Sequence, residues 1–519
     1  MGLFRIVFSC LGLFLFTQIG SGQNLVLSHQ TQHSLELRIA KEGITLVGAR
    51  CTSEPDLNVE YTVVDDKVLV NKLQPGHIYE FSYALNYSEI NRQYFATQSN
   101  SSGEIEVYFN YEIPEWPDSE LSPDGTTFGE VEKALKDLIK SAKYTVDYCA
   151  YNTNVNSIAN ELIDATARGV QVRAIVERDN NNFAFSGGVP FPLLEDRNPD
   201  LMHNKFIVVD ADSDDPNDPY VVSGSMNFTQ GQMSADPNHL MIIQDQSLAR
   251  AYQIEFEEMW GSDGPDFDIS NARFGDKKAD NTPHEFIIGD IRTEMYFSPS
   301  DNTSQQMINA LKTAQHHIDL GLLIFTYWDL RDQLLSNLND GVRIRGIIED
   351  DENSASVVSQ LNSNGANIKY HGSNPIYHHK MAIIDGEFEN SGPRLISGSH
   401  NWTYTAETGN DENTMIFRDP GLAELFKRAF SQYWNTLSTK TKNVEVKEIN
   451  IFPNPTTEAI SIDISKQDQG TAKILNTMGE IVYSGKLLKT IDVSHLISGT
   501  YIVYVYTDDI LFTGKFIKD

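Results

Sequence analysis

The sequence predicts a multidomain fold, with a central α/β core of two repeated halves between an N-terminal and a C-terminal β-sandwich. Three observations carry this prediction. The outer stretches alternate apolar and polar residues with period two, as half-buried strands do, and turn residues punctuate them. The middle alternates strand-like and helix-like runs, the pattern of an α/β layer architecture. That middle also repeats its order of elements at long range, the mark of a duplicated unit. The 519 residues leave room for three or four domains at ~150 residues each.

In chain order, Arg5 precedes an apolar stretch from Ile6 to Phe16, followed by small residues to Gly22. A charged start, a short apolar core and a small-residue exit predict a signal peptide over 1–22. The run is too short for an ordinary spanning helix, and no later segment is long and apolar enough, so no membrane span is expected in the mature chain. Residues 23–106 alternate like strands, as in Ser34–Ile39 and Asn58–Val63. Within them, Leu73-Gln-Pro-Gly-His-Ile-Tyr79-Glu-Phe81 resembles the corner of a fibronectin type III module, where a Pro-Gly turn precedes a strand whose Tyr ties back to the backbone. This region reads as a spacer or adhesion module.

The first half, 107–264, runs from Val107-Tyr108-Phe109 through a helix at Val131–Lys143 to an apolar strand at Tyr144–Tyr151. A helix at Ser157–Arg168 follows, then Gly169-Val-Gln-Val-Arg-Ala-Ile-Val. The second half, 291–437, opens with Met295-Tyr296-Phe297 and a helix at Gln305–Ala314. It continues with a strand at His317–Phe325, a helix near Leu330–Leu338 and Gly341-Val-Arg-Ile-Arg-Gly-Ile-Ile. Polar linkers are expected at 265–290 and 438–449. The last segment, 450–519, returns to short strands and carries Phe452-Pro-Asn-Pro-Thr456, Leu496-Ile-Ser-Gly499-Thr-Tyr501 and a closing Lys515-Phe-Ile-Lys518. Its order and spacing resemble the C-terminal sorting domain of bacterial type IX secretion substrates. The resemblance implies the type IX machinery as a partner and a secreted or cell-surface location.

Of three cysteines, Cys10 falls in the signal, and Cys51 and Cys149 fall in different domains, so no disulfide framework is expected. Cys149, in an apolar run, reads as a small buried hydrophobe. The 40 Lys+Arg against 72 Asp+Glu give a net charge of −32. That excludes a generally basic nucleic-acid coat protein.

The chemistry is carried by His203-Asn-Lys205-Phe-Ile-Val-Val-Asp210 and His378-His-Lys380-Met-Ala-Ile-Ile-Asp385, which stand 175 residues apart. Each is followed by a parallel phrase, Ser223-Gly224-Ser225-Met-Asn227-Phe-Thr229 and Ser397-Gly398-Ser399-His-Asn401-Trp-Thr403. On a strand, His and Lys two positions apart share a face. An antiparallel return then brings Ser225 and Asn227 back to that end. Two such halves facing each other would gather two His, two Lys, two Ser and two Asn around a tetrahedral anion.

These motifs resemble the phospholipase D superfamily in its two-motif form, over about 110–436. The resemblance implies two α/β halves related by a pseudo-two-fold axis. It implies phosphodiester cleavage through a phosphohistidine, without a metal or other cofactor. One His attacks phosphorus and the other protonates the leaving oxygen. Lys205, Lys380, Asn227 and Asn401 would hold the non-bridging oxygens, with Ser225 and Ser399 beside them. Asp210 and Asp385 lie five residues past each Lys, roughly 16 Å along a strand at ~3.3 Å per residue, and read as structural. The orienting groups should come later. Glu412 is expected behind His378; Asn238 stands at the matching place in the first half, with Asp236 close by. A carboxylate partner favours proton carrying and an amide partner leaves the ring neutral. This makes His203 the expected nucleophile and His378 the general acid/base.

Other features have plainer readings. The acidic loop 210–218 reads as a solvated hairpin tip. His379, His400, Phe228, Trp402 and Tyr377 read as packing beside the motifs. Arg173, Arg343 and Arg345 together with both motif lysines are the one candidate cleft for a nucleic-acid strand. The expected activity is that of a secreted phosphodiesterase with phospholipid favoured as substrate. A metal-independent extracellular endonuclease of the same superfamily is the alternative, and a non-catalytic adhesin or phosphate-ester-binding protein the reading from another class.

Overall fold

The computed structural model describes residues 24–57, 59–86, 89–113, 127–128, 130–372, 374–437, 445–462, 471–476, 481–506 and 510–519. The expected signal peptide lies outside them. The chain divides into two compact units, 1–437 and 438–519.

In the first unit, the period-two segments pair into a four-stranded and a three-stranded antiparallel sheet. Their inward residues, among them Leu27, Leu35, Val68, Tyr79 and Phe81, form one core. Tyr79 accepts a hydrogen bond from the Gln74 amide at 2.8 Å, so the Tyr at the Pro75-Gly76 corner does tie back to the backbone. This layer is joined to the first half of the α/β core, where Ser99 donates to Asp245 at 2.5 Å.

Two eight-stranded mixed sheets follow. The first runs Leu193–Asp196, Gln171–Glu177, Thr145–Ala150, Lys205–Val209, Tyr220–Gly224, His239–Ile243, Ile105–Phe109, Thr127–Phe128. The second, in the same sense, runs Asn367–Tyr370, Arg343–Ile348, His317–Leu322, Lys380–Ile384, Arg394–Gly398, Glu412–Arg418, Ile291–Ser298, Glu285–Ile288. The order is the same in both except at the last edge strand, which follows its neighbour in the chain and is parallel to it in the first sheet but precedes it and is antiparallel in the second. Each motif strand is antiparallel to both its neighbours and separates a parallel βαβ set from an antiparallel meander.

Alternation along the motif strand decides the packing. Ile207 and Val209 enter a core belonging to the first half, under the helices Val131–Ser141 and Asn156–Ala167. Phe206 and Val208 face the other way, into a core that also holds Met381, Ile383 and Phe417 from the second half. The helices Gln246–Trp260 and Pro420–Thr436 contribute Tyr252, Trp260, Phe426 and Phe430 to it. At ~1.5–3 kcal/mol per fully buried large side chain, this shared core fixes one half against the other.

The segment 265–290 is less of a linker than its polarity suggests. Glu285–Ile288 is the edge strand of the second sheet, and Lys278 is buried. Likewise the strand Ile105–Phe109 begins two residues before the expected start of the first half and pairs with His239–Ile243. Among the described residues, no helix is long and apolar enough to cross a membrane.

The second unit has a five-stranded sheet and a three-stranded sheet around Ile460, Ile474, Val503 and Phe516. It is the expected C-terminal β-rich layer.

Candidate active site

His203 and His378 each stand two residues before a motif strand, whose first residue is Lys205 or Lys380. The return strands end at Gly224 and Gly398, with φ of 145° and 144°. A Cβ there would meet the carbonyl oxygen of His239 at 2.6 Å or of Asn413 at 2.2 Å, so only glycine suits these positions. The chain then passes Ser225 and Asn227, or Ser399 and Asn401. Thr229 and Thr403 cap the short helices that follow. The residue order of both phrases is thus a turn followed by a capped helix.

Asp210 and Asp385 sit at the far strand ends. Asp210 accepts from the amides of Lys143, Tyr144 and Thr145 at 2.7–2.8 Å. Asp385 does the same for Gln315, His316 and His317 at 2.8 Å. Each pins the start of the neighbouring strand.

The two motifs meet across the halves. His203 Nδ1 lies 2.8 Å from both Glu412 oxygens, and Glu412 also accepts from Ser399 Oγ at 2.6 Å. His378 Nδ1 lies 3.0 Å from the Ser225 carbonyl oxygen. The backbone clasps in the same way, since the His203 amide donates to Asp411 O at 3.0 Å and the His378 amide to Pro237 O at 2.8 Å. The expectation that Glu412 serves His378 is therefore corrected. The strand beginning at Glu412 belongs to the second sheet, but its entry crosses to Met202 of the first half and delivers the carboxylate to His203.

Neither Asn238 nor Asp236 orients a catalytic ring. Asn238 Nδ2 donates to Gln232 O and Oε1 at 3.1 and 2.8 Å. Its side chain is one methylene shorter than that of Glu412, and its amide nitrogen is engaged within its own half. Asp236 accepts from the Ile376 amide at 3.0 Å and from Gln232 at 3.1 Å.

Burial dominates the electrostatics. It lowers the His203 pKa to about 4, against the pull of Glu412. The His378 pKa falls well below the usual value through burial and then the Lys380 and Lys205 charges. Burial would raise the Glu412 carboxyl, but the His203 ring and the Lys205 ammonium hold it below its usual range. Both rings are neutral, and Nδ1 of His203 carries its proton toward an ionised carboxylate.

The lysines are buried too. Lys205 donates to His203 O at 2.6 Å and is pushed down to about 7 by burial. Lys380 lies 3.3 Å from both His378 O and Nδ1, and burial and Lys205 lower it well below its usual value. The buried Oδ1 atoms of Asn227 and Asn401 have no hydrogen-bond partner. Two buried lysine side chains beside one carboxylate make a site whose cationic form an anion would favour.

Several functional neighbours were missed by sequence reasoning. Tyr151 stacks edge-on against His203 with ring centroids 4.6 Å apart and lies under Lys205 at 5.1 Å. Glu177 and Glu349 accept from the Met202 and Tyr377 amides, both at 2.9 Å, and so hold the residue before each His. Both glutamates directly follow the repeated Val-Arg-Ala-Ile-Val and Ile-Arg-Gly-Ile-Ile strands, so the repeat, read one residue further, contains the signal. Behind the site, His239 and His379 meet Nδ1 to Nδ1 at 2.9 Å. At the matching place Asn413 donates to Asn204 at 2.9 Å.

The basic cleft is corrected. Arg173 is buried and bidentate to Asp147 at 2.6 and 2.8 Å, and Arg345 pairs with Asp319 at 2.7 and 2.8 Å. Both lie toward the strand ends remote from the histidines. Phe228, Trp402 and Tyr377 are buried in packing. Among the described residues, no group of three or more His, Cys, Asp or Glu side chains is arranged to hold a metal ion.

Two pseudo-symmetric halves that pool two H-x-K motifs in one anion pocket define a class of α/β proteins built around a phosphate cradle. The family described as "Cardiolipin synthase, PLD-like domain" matches this chain twice, over 135–260 and 307–434. The chain belongs to this phospholipase D-like family. Residues 450–519 match the secretion system C-terminal sorting domain, which marks a secreted or cell-surface bacterial protein.

Among relatives, a phospholipase D of Rickettsia bellii is 30% identical over 148 residues, 28% of this chain and 70% of its own. A mitochondrial cardiolipin hydrolase of Chlamydomonas reinhardtii is 30% identical over 146 residues, 28% of this chain and 63% of its own. The chain spans 58–64% of the length of the cardiolipin hydrolases matched first. Among solved structures, the phospholipase D family member Nuc of Salmonella typhimurium is 25% identical, covering 28% of this chain and 95% of its own, with a TM-score of 0.25.

Proposed function

We propose that this chain is a secreted phosphodiesterase of the phospholipase D type, acting on phospholipids through a phosphohistidine. The observation that carries the reading is the convergence of His203 and His378, each with Nδ1 engaged by the opposite half, on the buried Lys205 and Lys380.

In the proposed reaction, Lys205, Lys380, Asn227 and Asn401 take the non-bridging oxygens. His203 Nε2 attacks phosphorus, the bond to the leaving oxygen breaks, and His378 gives that oxygen a proton. Water then attacks phosphorus, His378 accepts the water proton, and the phosphorus–nitrogen bond breaks. His203 remains the assigned nucleophile, on a ground different from the one its sequence suggests. Attack places positive charge on the ring, and Glu412 is the group that can balance it. His378 Nδ1 has the Ser225 carbonyl and the Lys380 amine beside it but no carboxylate, and the negative charge of an incoming phosphodiester favours its uptake of a proton.

Phospholipid is favoured because the chain carries −32 net charge and two of its three candidate strand-binding arginines, Arg173 and Arg345, are engaged by Asp147 and Asp319. The names of the curated relatives, phospholipase D and cardiolipin hydrolase, point the same way. In this reading residues 1–22 export the chain, the tail engages the type IX machinery, and the fibronectin-like layer is a spacer. The test is turnover in EDTA on phosphatidylcholine and cardiolipin vesicles and on plasmid DNA, with His203→Asn as control. Headgroup release absent in the control supports the proposal. Nicking of DNA without lipid turnover would replace it with the endonuclease reading, and binding without turnover with the adhesin reading.

A further inference from the structure

The segment joining the halves buries a lysine against two carboxyl groups that adjoin the His203 motif. Lys278 follows the short 3₁₀ turn Gly275–Lys277, and its ammonium is fully buried. It lies 2.5 Å from Glu255 on the long helix of the first half and 3.3 Å from Asp411 in the second. Asp411 Oδ1 also accepts from the Gly275 amide at 2.9 Å, so the connecting segment grips this residue twice.

Both partners of Lys278 adjoin the site. Asp411 directly precedes Glu412, accepts from the His203 amide through its carbonyl at 3.0 Å, and donates to Leu201 O at 2.9 Å. Glu255 accepts from Asn204 at 3.3 Å, the residue between His203 and Lys205. At the place matching Asp411 the first half has Pro237, which offers no carboxylate to hold. The grip is therefore one-sided, like the carboxylate support of His203.

We propose that Lys278 is a positioning residue, whose ammonium ties Glu255 of one half to Asp411 of the other and thereby holds Glu412 against His203. The proposal rests on the phosphodiesterase reading for its kinetic consequence but not for its structural one. Without the cation, two buried carboxyl groups face each other across the halves, and the segment carrying Glu412 loses its anchor.

The test compares Lys278→Met, Lys278→Arg and the double variant Lys278→Met/Glu255→Gln in the full chain. The double variant removes one of the two carboxyl charges left unpaired, so that the pair no longer repel each other, and guards against simple misfolding. One readout is hydrolysis of bis(p-nitrophenyl) phosphate. The other is the ¹⁵N signal of His203 Nδ1, assigned by its loss in His203→Asn. Expected for the double variant are native thermal unfolding, kcat lowered tenfold or more, KM within twofold, and a His203 Nδ1 signal changed as in Glu412→Gln. Lys278→Arg should recover most of kcat. A double variant with wild-type kcat and an unchanged His203 signal would overturn the proposal. A wild type that hydrolyses nothing, but whose His203 signal still responds to Lys278, would overturn the phosphodiesterase reading and leave the positioning contact standing.

Discussion

The two halves hold the same cradle but support their histidines differently. In both, a glycine turn, a capped helix and a strand-end aspartate place His, Lys, Ser and Asn alike. Behind His203 stands an ionised Glu412, itself held by Ser399. Behind His378 stand the Ser225 carbonyl and the Lys380 amine, with no carboxylate. Deeper still, an amide pair, Asn204 with Asn413, faces an imidazole pair, His379 with His239. The symmetric part suits one symmetric thing, the tetrahedral anion of the proposed reaction. The asymmetric part is where two chemically unlike jobs, attack and proton transfer, can be told apart.

The sharpest way to break this comparison is to remove each ring. His203→Asn and His378→Asn should each lower turnover of phospholipid by roughly 10³-fold or more. With a p-nitrophenyl leaving group, which needs no acid, His378→Asn should still form a trapped phosphoenzyme and His203→Asn should not. Label recovered on His378 would reverse the assignment.

Glu412→Gln makes both supports uncharged. A loss of roughly 10- to 100-fold in kcat is expected, larger than that from Asn238→Asp, whose side chain faces Gln232. Equal losses would mean that Glu412 gives His203 no special support.

Converting the imidazole pair to its amide counterpart, His239→Asn/His379→Asn, tests whether the deeper asymmetry matters. Burial lowers the His239 pKa to about 3, while an unfolded histidine titrates near ~6.5. Between those values the unfolded chain binds the extra proton, so wild-type stability falls as pH drops through that window. The double variant should therefore be less acid-sensitive, by about 3 kcal/mol at pH 4 for His239 alone. Chemical denaturation at pH 7 and pH 4 reads this out. An identical pH slope in both proteins would refute it.

The smallest effect lies outside the comparison. Tyr79→Phe removes the hydrogen bond to Gln74 and should cost about 1 kcal/mol in unfolding, with turnover unchanged.

Much of this was legible in the residues. The repeat exposed two halves, and both motifs with their Ser and Asn partners, because short-range turn, strand and cap chemistry places them. What a repeat cannot tell is which half faces which group. It matches Asn238 to Glu412 correctly and still leaves Glu412 behind the wrong histidine, since that contact runs between halves. The segment 265–290 misled for a related reason. Its polarity reads as solvent exposure, but Lys278 is polar in order to bridge two buried carboxylates. Arg173 and Arg345 misled conversely, as cations near the motifs in sequence that are consumed by Asp147 and Asp319.

His203 and Glu412 are separated by 209 residues. A chain interrupted between residues 210 and 412 therefore carries a complete first motif and an imidazole without its counter-charge. During synthesis and export, the first half waits for the second. The proposed catalytic centre can come into being only after most of the second half has been made.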